Sequence, residues 1–239
     1  MRLLLGSGGL ATEARRTVYH TEMAAHFEGC EEVVFIPYAV ADHDHATARM
    51  AEFSAPSGVN LRGIHTFDDP VAAIEQAQGV YVGGGNTFLL TRDLHRNGLL
   101  QVVRERVRAG MPYMGVSAGS NVACPTLMTT NDMPIVMPDS FETFDLVPFQ
   151  INAHYHDGGI WLQKDGEFIQ HFGETRAKRI SEFHHCNDAP VIGLCEGAFL
   201  RWVDGEGVLI GADATVFRAR ESPTVISPGS RLSTSLHQH

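Results

Sequence analysis

Two patterns of hydrophobic and polar residues alternate over the first two-thirds of the chain. Five short apolar runs, each typical of a buried strand, alternate with longer segments in which apolar residues recur every three or four positions. The predicted strands are residues 3–5, 33–37, 61–65, 80–83 and 113–117. The predicted helices are residues 18–27, 45–53, 70–78 and 88–109, and Asn97-Gly98 is expected to divide the last into two. This alternation predicts a parallel sheet with helices on both faces.

The last third of the chain has a different pattern. A helix is predicted from Thr175 to about His184, and four apolar runs separated by turn residues follow it, at 191–194, 199–203, 208–210 and 214–217. Such runs predict antiparallel strands that extend the sheet. We therefore expect a three-layer α/β/α fold with a mainly parallel sheet and a C-terminal antiparallel extension. Residues 1–239 are interpreted as one catalytic domain whose polar tail after about 228 is flexible.

Composition and charge argue against some classes of binding partner. The chain has 28 acidic and 18 basic residues, a net charge of −10, which argues against a nucleic-acid partner. No apolar stretch approaches the length of a membrane span, and the N-terminal run is too short for a signal peptide. The four cysteines form no C-x-x-C pair and are expected to be reduced thiols. We expect a cytoplasmic protein with neither a nucleic-acid nor a membrane partner.

The clearest chemical motif is Gly115-x-Ser117-x-Gly119, at the end of a predicted strand. In the arrangement called a nucleophile elbow, a strained turn between strand and helix exposes the serine hydroxyl, and small flanking residues leave room for the turn. The amide of Ala118 and the following helix N-terminus can stabilise an oxyanion. Ser117 is therefore predicted to be a nucleophile.

A second glycine-rich loop, residues 83–87, also follows a predicted strand. No lysine follows it and it lacks the G-x-G-x-x-G spacing, so neither a nucleotide P-loop nor a dinucleotide site is indicated. Glycines let the backbone approach a ligand closely. The amide of Gly85 is predicted to be a second oxyanion donor, with Asn86 and Thr87 available to bind substrate.

A serine nucleophile needs a base, and the base needs an orienting carboxylate. His154 follows an apolar run and is the candidate base, with His156 as an alternative. Glu196, framed by glycines after a predicted strand, is one candidate carboxylate. Asp132, on a predicted loop, is the other.

Taken together, these motifs resemble the peptidase E family of aspartyl dipeptidases, which are serine peptidases with a fold like that of class I glutamine amidotransferases. The resemblance rests on residues 82–88, 115–119, 121–125, 129–135, 173–176 and 191–197. It implies a flavodoxin-like fold and cleavage after an N-terminal aspartate in very short peptides. We further expect no cofactor or metal, and a monomer or homodimer.

The resemblance assigns the nucleophile to Ser117, the base to His154 and the oxyanion donors to the amides of Gly85 and Ala118. It points to both carboxylates as the third member. Glu196 is favoured because the family fold places it near the histidine, and it gives the order Ser, His, Glu of glutamine amidotransferases. Asp132 would instead organise its loop or pair with the substrate's α-amine.

An aspartate side chain in a closed pocket requires a cation, for which arginine is the best partner. Arg176, at the start of a predicted helix, is the candidate, and Arg179 and Arg201 have weaker claims. The segment 155–172, which carries Trp161, is longer than is usual for the family, so substrate contacts there are expected to differ.

Two alternatives compete with the dipeptidase. One is a cyanophycinase-like hydrolase of aspartate-backbone polymers, which belongs to the same superfamily. The other is a metal site, because His154-x-His156-Asp157 resembles the H-x-H-x-D of binuclear zinc hydrolases and residues 43–45 offer further ligands. The metal site leaves the serine motif without a role.

Overall fold

The structure, a computed structural model, describes residues 1–234 and residue 236. Five parallel strands form one side of an eight-stranded sheet, in the order β1-β5-β4-β2-β3 with β3 at the edge. They are β1 (Arg2–Gly6), β2 (Val33–Ile36), β3 (Leu61–Gly63), β4 (Val80–Val82) and β5 (Tyr113–Val116). All five predicted strands are confirmed.

Five helices connect these strands: α1 (Glu13–His26), α2 (His43–Ser54), α3 (Pro70–Gln76), α4 (Thr87–Arg96) and α5 (Leu99–Arg108). The predicted division of the long helix is confirmed, and Gly98 at the break has a φ of 66°. No helix in the described part of the chain combines the length and the hydropathy needed to cross a membrane.

Alternation along each strand separates the core into two layers, one on each face of the sheet. Leu3 and Leu5 pack into the cluster that contains the apolar residues of α3, α4 and α5, whereas Leu4 packs with Tyr19 of α1 and Met50 of α2. Since both faces are covered, the central strands are continuously apolar, as in parallel sheets generally. The three-layer α/β/α architecture is confirmed.

The predicted antiparallel extension is confirmed for β10 (Phe199–Val203), which pairs with β1, and for β11 (Glu206–Ile210), which pairs with β10. The other two predicted strands, β9 (Val191–Cys195) and β12 (Ala214–Phe217), do not extend this sheet. They form a second sheet with β6 (Gln150–Tyr155) and β13 (Thr224–Ile226), in the order β13-β12-β9-β6. Hydrophobic alternation identifies strands, but it does not say which strand pairs with which, so the second sheet could not be anticipated. The predicted helix after Thr175 is confirmed as α7 (Arg176–Phe183), and α6 (Ala118–Asn121) follows β5.

Part of the segment predicted to be a flexible tail belongs to the large sheet. Strand β14 (Arg231–Ser233) pairs with β11, and Leu236 is buried. Residues 235 and 237–239 lie outside the described residues. One apolar cluster includes Leu5 of the large sheet and Ile192 of the second sheet, which supports the interpretation of a single domain; that interpretation stays a prediction.

The segment 155–172 contains a hairpin of β7 (Ile160–Lys164) and β8 (Glu167–His171), which pair only with each other. Its turn, Asp165-Gly166, has φ angles of 53° and 86°, as expected for a type I′ turn. The hairpin exposes large apolar side chains, among them Trp161 and Phe168.

The two tryptophans of the chain offer a test of this architecture. Trp202 of β10 is 1% exposed, and its ring meets that of Phe149 edge-on with centroids 5.1 Å apart. We expect Trp202→Ala to lower the free energy of unfolding by about 3–5 kcal/mol, because it leaves a cavity in the core. Trp161→Ala, at a position 57% exposed, should change it by less than about 0.5 kcal/mol. Chemical denaturation measures both, and equal values would contradict the placement of Trp202 in the core.

Candidate active site

Ser117 occupies the sharp turn between β5 and α6. Its backbone has φ 57° and ψ −114°, a combination that residues other than glycine rarely adopt. Its amide donates to the carbonyl of Gly6 (2.9 Å), and its carbonyl accepts from the amides of Ser120 (2.9 Å) and Asn121 (3.0 Å). These bonds hold the strained turn in place, and the predicted nucleophile-elbow geometry is present.

The two motif glycines are required by packing. A Cβ on Gly115 would lie 2.3 Å from the carbonyl oxygen of Gly119, and a Cβ on Gly119 would lie 2.1 Å from the carbonyl oxygen of Val82. A side chain on Gly115 would therefore displace Gly119, and one on Gly119 would push the turn away from β4.

His154 faces Ser117 from the second sheet, with its Nε2 atom 2.7 Å from Ser117 Oγ. The pairing of β6 with β9 shifts register between Asn152 and Tyr155, and His154 itself has a φ of 56°. Such an irregularity redirects a side chain that regular alternation would place elsewhere.

Glu196 follows β9 and completes a run of hydrogen bonds. Its Oε1 atom lies 2.6 Å from His154 Nδ1. Because an ionised carboxylate can only accept, Nδ1 carries the proton and Nε2 is free to accept the proton of Ser117. The structure thus brings Ser117, His154 and Glu196 together, the arrangement that a serine nucleophile requires.

The loop after β1 supports this arrangement, and sequence reasoning missed it. The buried hydroxyl of Ser7 donates to the carbonyl of Leu194 (2.9 Å) and accepts from the amide of His154 (2.9 Å). It therefore joins the end of β1 to both strands that carry the histidine and the glutamate. The available signal was Ser7-Gly8-Gly9 directly after a predicted strand, at the same sheet edge as the other two glycine-rich motifs.

Gly8 and Gly9 pack directly against the side chains of His154 and Glu196. A Cβ on Gly8 would lie 2.9 Å from His154 Cε1, and a Cβ on Gly9 would lie 2.2 Å from Glu196 Oε2. The Oε2 atom is buried and has no hydrogen-bond partner among the described residues. The backbone of this loop consequently limits where the carboxylate can lie.

The second glycine loop borders Ser117 on the other side. A Cβ on Gly84 would lie 3.1 Å from Ser117 Cβ, and Gly85, with a φ of 140°, packs against the carbonyl oxygen of Ala39. In the described part of the chain, no acceptor pairs with the amides of Gly85 or Ala118. Both are therefore available to a ligand, although their role as oxyanion donors stays a prediction.

Asp132 is bound at the start of α4. Its Oδ2 atom accepts from the amide (2.7 Å) and hydroxyl (2.6 Å) of Thr87 and from the hydroxyl of Thr130 (3.1 Å). No hydrogen bond joins Asp132 to His154 among the described residues. Asp132 thus organises its loop, one of the two roles considered for it.

Asn86 and Thr87 also have partners within the protein. Asn86 accepts from the amide of Leu89 (3.1 Å) and donates to the carbonyl of Met133 (2.8 Å), and Thr87 is fully buried. Their side chains join the glycine loop to the 129–135 segment. Direct substrate binding by Asn86 and Thr87 stays a prediction.

Arg176 begins α7 and lines a cavity of about 270 Å³ together with Asn131, His156 and Arg179. Burial lowers the pKa of Arg176 from its usual value, and the charge of Arg179 lowers it further, while Asp132 raises it. Glu174 also lines the cavity and pairs with Arg179, with its Oε2 atom 3.8 Å from Arg179 Nε. Arg176 forms no salt bridge among the described residues, so its guanidinium group is the one available to an anion.

The two histidines of the H-x-H-x-D pattern have different surroundings. His154 contacts Ser117 and Glu196, whereas His156 lines the cavity beside Arg176. Within residues 1–234 and 236, no three histidine, cysteine or carboxylate side chains are grouped so that they could hold a metal ion.

Comparisons with known proteins agree on one family. The profile of peptidase family S51 matches residues 2–210. The chain is 49% identical over 206 residues to peptidase E of Streptomyces coelicolor, covering 85% of this chain and 82% of that protein. It is 43% identical over 198 residues to the probable alpha-aspartyl dipeptidase of Drosophila melanogaster, covering 82% of this chain and 80% of the other.

Solved structures resemble the fold as a whole. A crystal structure of a peptidase from an acI-B1 actinobacterium has a TM-score of 0.69 at 16% identity, covering 97% of this chain and 96% of that one. A putative peptidase E from Listeria monocytogenes has a TM-score of 0.60 at 20% identity, covering 95% and 98%.

The contact between Gly9 and Glu196 can be tested against a matched glycine. Gly9 and Gly29 have φ angles of 82° and 84°, but a Cβ on Gly29 would meet nothing within 4 Å. Either change to alanine should cost about 1–2 kcal/mol of stability through backbone strain. Only Gly9→Ala should also displace the carboxylate and abolish the low-field proton NMR resonance expected of the His154 Nδ1–H group. An unchanged resonance in Gly9→Ala would contradict the packing described.

Proposed function

The chain belongs to peptidase family S51, and we propose that it hydrolyses the peptide bond after an N-terminal aspartate in dipeptides and very short peptides. The observation that carries this proposal is the run of hydrogen bonds from Ser117 through His154 to Glu196. The names of the similar proteins, peptidase E and probable alpha-aspartyl dipeptidase, support the aspartate preference.

In the first step, Ser117 Oγ attacks the carbonyl carbon of the aspartyl residue, and its proton passes to His154 Nε2. The amides of Gly85 and Ala118 stabilise the resulting oxyanion, each contributing about 10²–10³-fold to the rate. His154 then donates the proton to the leaving nitrogen, and the C–N bond breaks. The products are an aspartyl ester on Ser117 and a free amine.

In the second step, water replaces the amine. His154 accepts a proton from the water as its oxygen attacks the ester carbon. The bond between that carbon and Ser117 Oγ breaks, Oγ regains the proton, and free aspartate leaves. The substrate and one water molecule balance the two steps.

Glu196 is proposed as the carboxylate that orients His154 and stabilises its charged form. It contacts His154 Nδ1 directly, whereas Asp132 is bound to Thr87 and Thr130. The negative charge of Asp132 is nevertheless close enough to the cavity to raise the pKa of Arg176. We propose that it attracts the free α-ammonium of the substrate there, which would restrict cleavage to N-terminal residues.

The cavity beside Arg176 is proposed to hold the aspartate side chain. The planar guanidinium group can bind a carboxylate with two parallel hydrogen bonds. The volume of about 270 Å³ suits a single residue better than a branched polymer, so the dipeptide is favoured over the aspartate-backbone polymer of a cyanophycinase-like enzyme.

The proposed roles of Ser117, Glu196 and Asp132 predict different effects on kcat and KM. Ser117→Ala should lower kcat by about 10³-fold or more without unfolding the protein. Glu196→Gln should lower chiefly kcat, because the amide cannot stabilise charged His154. Asp132→Asn should chiefly raise KM. Steady-state kinetics on Asp-Leu measures kcat and KM for each variant. A lower kcat in Asp132→Asn together with a raised KM in Glu196→Gln would transfer the orienting role to Asp132.

The aspartate preference is tested by a panel of Asp-Leu, Asn-Leu, Glu-Leu and Ala-Leu. Wild-type protein should cleave Asp-Leu best, because the other residues leave the guanidinium without a fitted partner. Arg176→Ala should lower kcat/KM for Asp-Leu by about 10–100-fold, the scale of a lost charged hydrogen bond, and far less for Ala-Leu. Arg96→Ala, at an exposed position on α4, is the matched control. Equal losses on Asp-Leu and Ala-Leu would show that Arg176 only supports the structure.

A further inference from the structure

A second cavity, of about 200 Å³, lies between α2 and the second glycine loop. Its inner wall is apolar and includes Phe35 of β2 and Met50 of α2, and its rim carries His45 and Arg49. The α2 residues that line it are spaced by three and four positions, so they form one face of the helix.

This cavity adjoins the nucleophile. Its wall includes the backbone of Gly84, and a Cβ built on Gly84 would lie only 3.1 Å from Ser117 Cβ. Gly84 is therefore shared by the wall of the cavity and the surroundings of Ser117.

The two cavities border different sheets. Phe35 and Met50 belong to the layer formed with α1 and α2. Arg176 begins α7, whose buried Ile180 packs against Tyr155 and Val191 of the second sheet. A peptide whose scissile bond lies at Ser117, with its first residue toward Arg176, would extend its second residue toward α2.

The charged side chains at the rim of the cavity beside α2 indicate which chemical groups the second residue of the peptide has. Among the described residues, Arg49 forms no salt bridge or hydrogen bond, and its side chain is exposed at the cavity mouth. The nearby carboxylate of Asp42 is engaged by the amide of His45, which it caps at the start of α2. An unpaired guanidinium above an apolar wall is complementary to an amino acid with an apolar side chain and a free carboxylate.

We propose that this cavity binds the leaving residue of the dipeptide, with Arg49 binding its C-terminal carboxylate and Phe35 and Met50 contacting its side chain. The proposal rests on the peptidase function above and adds a specificity-determining residue to it. A longer peptide has an amide where the dipeptide has its carboxylate and would lose the contact with Arg49. The cavity thus supplies a physical reason for a preference for dipeptides.

A pair of substrates that differ only at the C-terminus isolates this contact. Wild-type protein should have a higher kcat/KM for Asp-Leu than for Asp-Leu amide. In Arg49→Gln, kcat/KM for Asp-Leu should fall by roughly tenfold, the lower end for a charged hydrogen bond, and the ratio of acid to amide should fall by the same factor. Arg96→Gln, on α4, should leave the ratio at its wild-type value.

A second variant tests the apolar part of the cavity. Ala46 lies on the cavity face of α2, and Ala46→Phe would fill the space beside Met50. It should lower kcat/KM for Asp-Leu relative to Asp-Gly, because glycine has no side chain to place there. An unchanged ratio would overturn the assignment of the side-chain site.

The outcomes separate this proposal from the proposed function. If wild-type protein prefers a first residue other than aspartate, the aspartate preference fails, and the acid and amide of that preferred dipeptide test Arg49 in the same way. If Asp-Leu is cleaved but Arg49→Gln leaves the ratio of acid to amide unchanged, the leaving-residue site fails alone. If no dipeptide is cleaved, both proposals fail.

Discussion

The strained backbone of Ser117 is the constraint around which the site is arranged. A serine in this conformation costs about 1–3 kcal/mol, and it persists because neighbouring groups allow no other path for the chain. Its amide is held by Gly6 of β1, while Gly115 and Gly119 pack too closely against their surroundings to carry side chains. The hydroxyl is consequently fixed above the carboxyl end of the sheet, where ligands of such sheets generally bind.

The partners of Ser117 come from the second sheet, and a few polar contacts align the two sheets at this edge. Ser7 links β1 of the large sheet to Leu194 of β9 and His154 of β6. His154 lies on β6 and Glu196 directly follows the neighbouring strand β9, so the shift of register in β6 brings one side chain to the other. Small movements between the sheets would change the distance between Ser117 and His154, and the hydrogen bonds of the buried Ser7 hydroxyl link the sheets at this point.

Much of the fold could be predicted because local patterns determine it. The central strands are buried on both faces, and the turn at Gly115-x-Ser117-x-Gly119 carries its own sequence signal. The pairing of β9 with β6 could not be predicted, since hydrophobic alternation contains no information about partners. For the same reason the sequence left Glu196 and Asp132 as rivals. What distinguishes the two carboxylates is the contact between His154 and Glu196, which are 42 positions apart along the chain. The support from Ser7 depends on contacts between residues still further apart in the sequence.

The hairpin of β7 and β8 shares no ladder with either larger sheet, and this isolation bears on how the protein can diversify. Adding or removing paired residues at its tip would preserve the alternation of its own side chains and would alter no other register. Ile160 at its base nevertheless lines the cavity beside Arg176. Evolution can therefore vary the lining of this cavity through the hairpin while the two larger sheets keep their pairing.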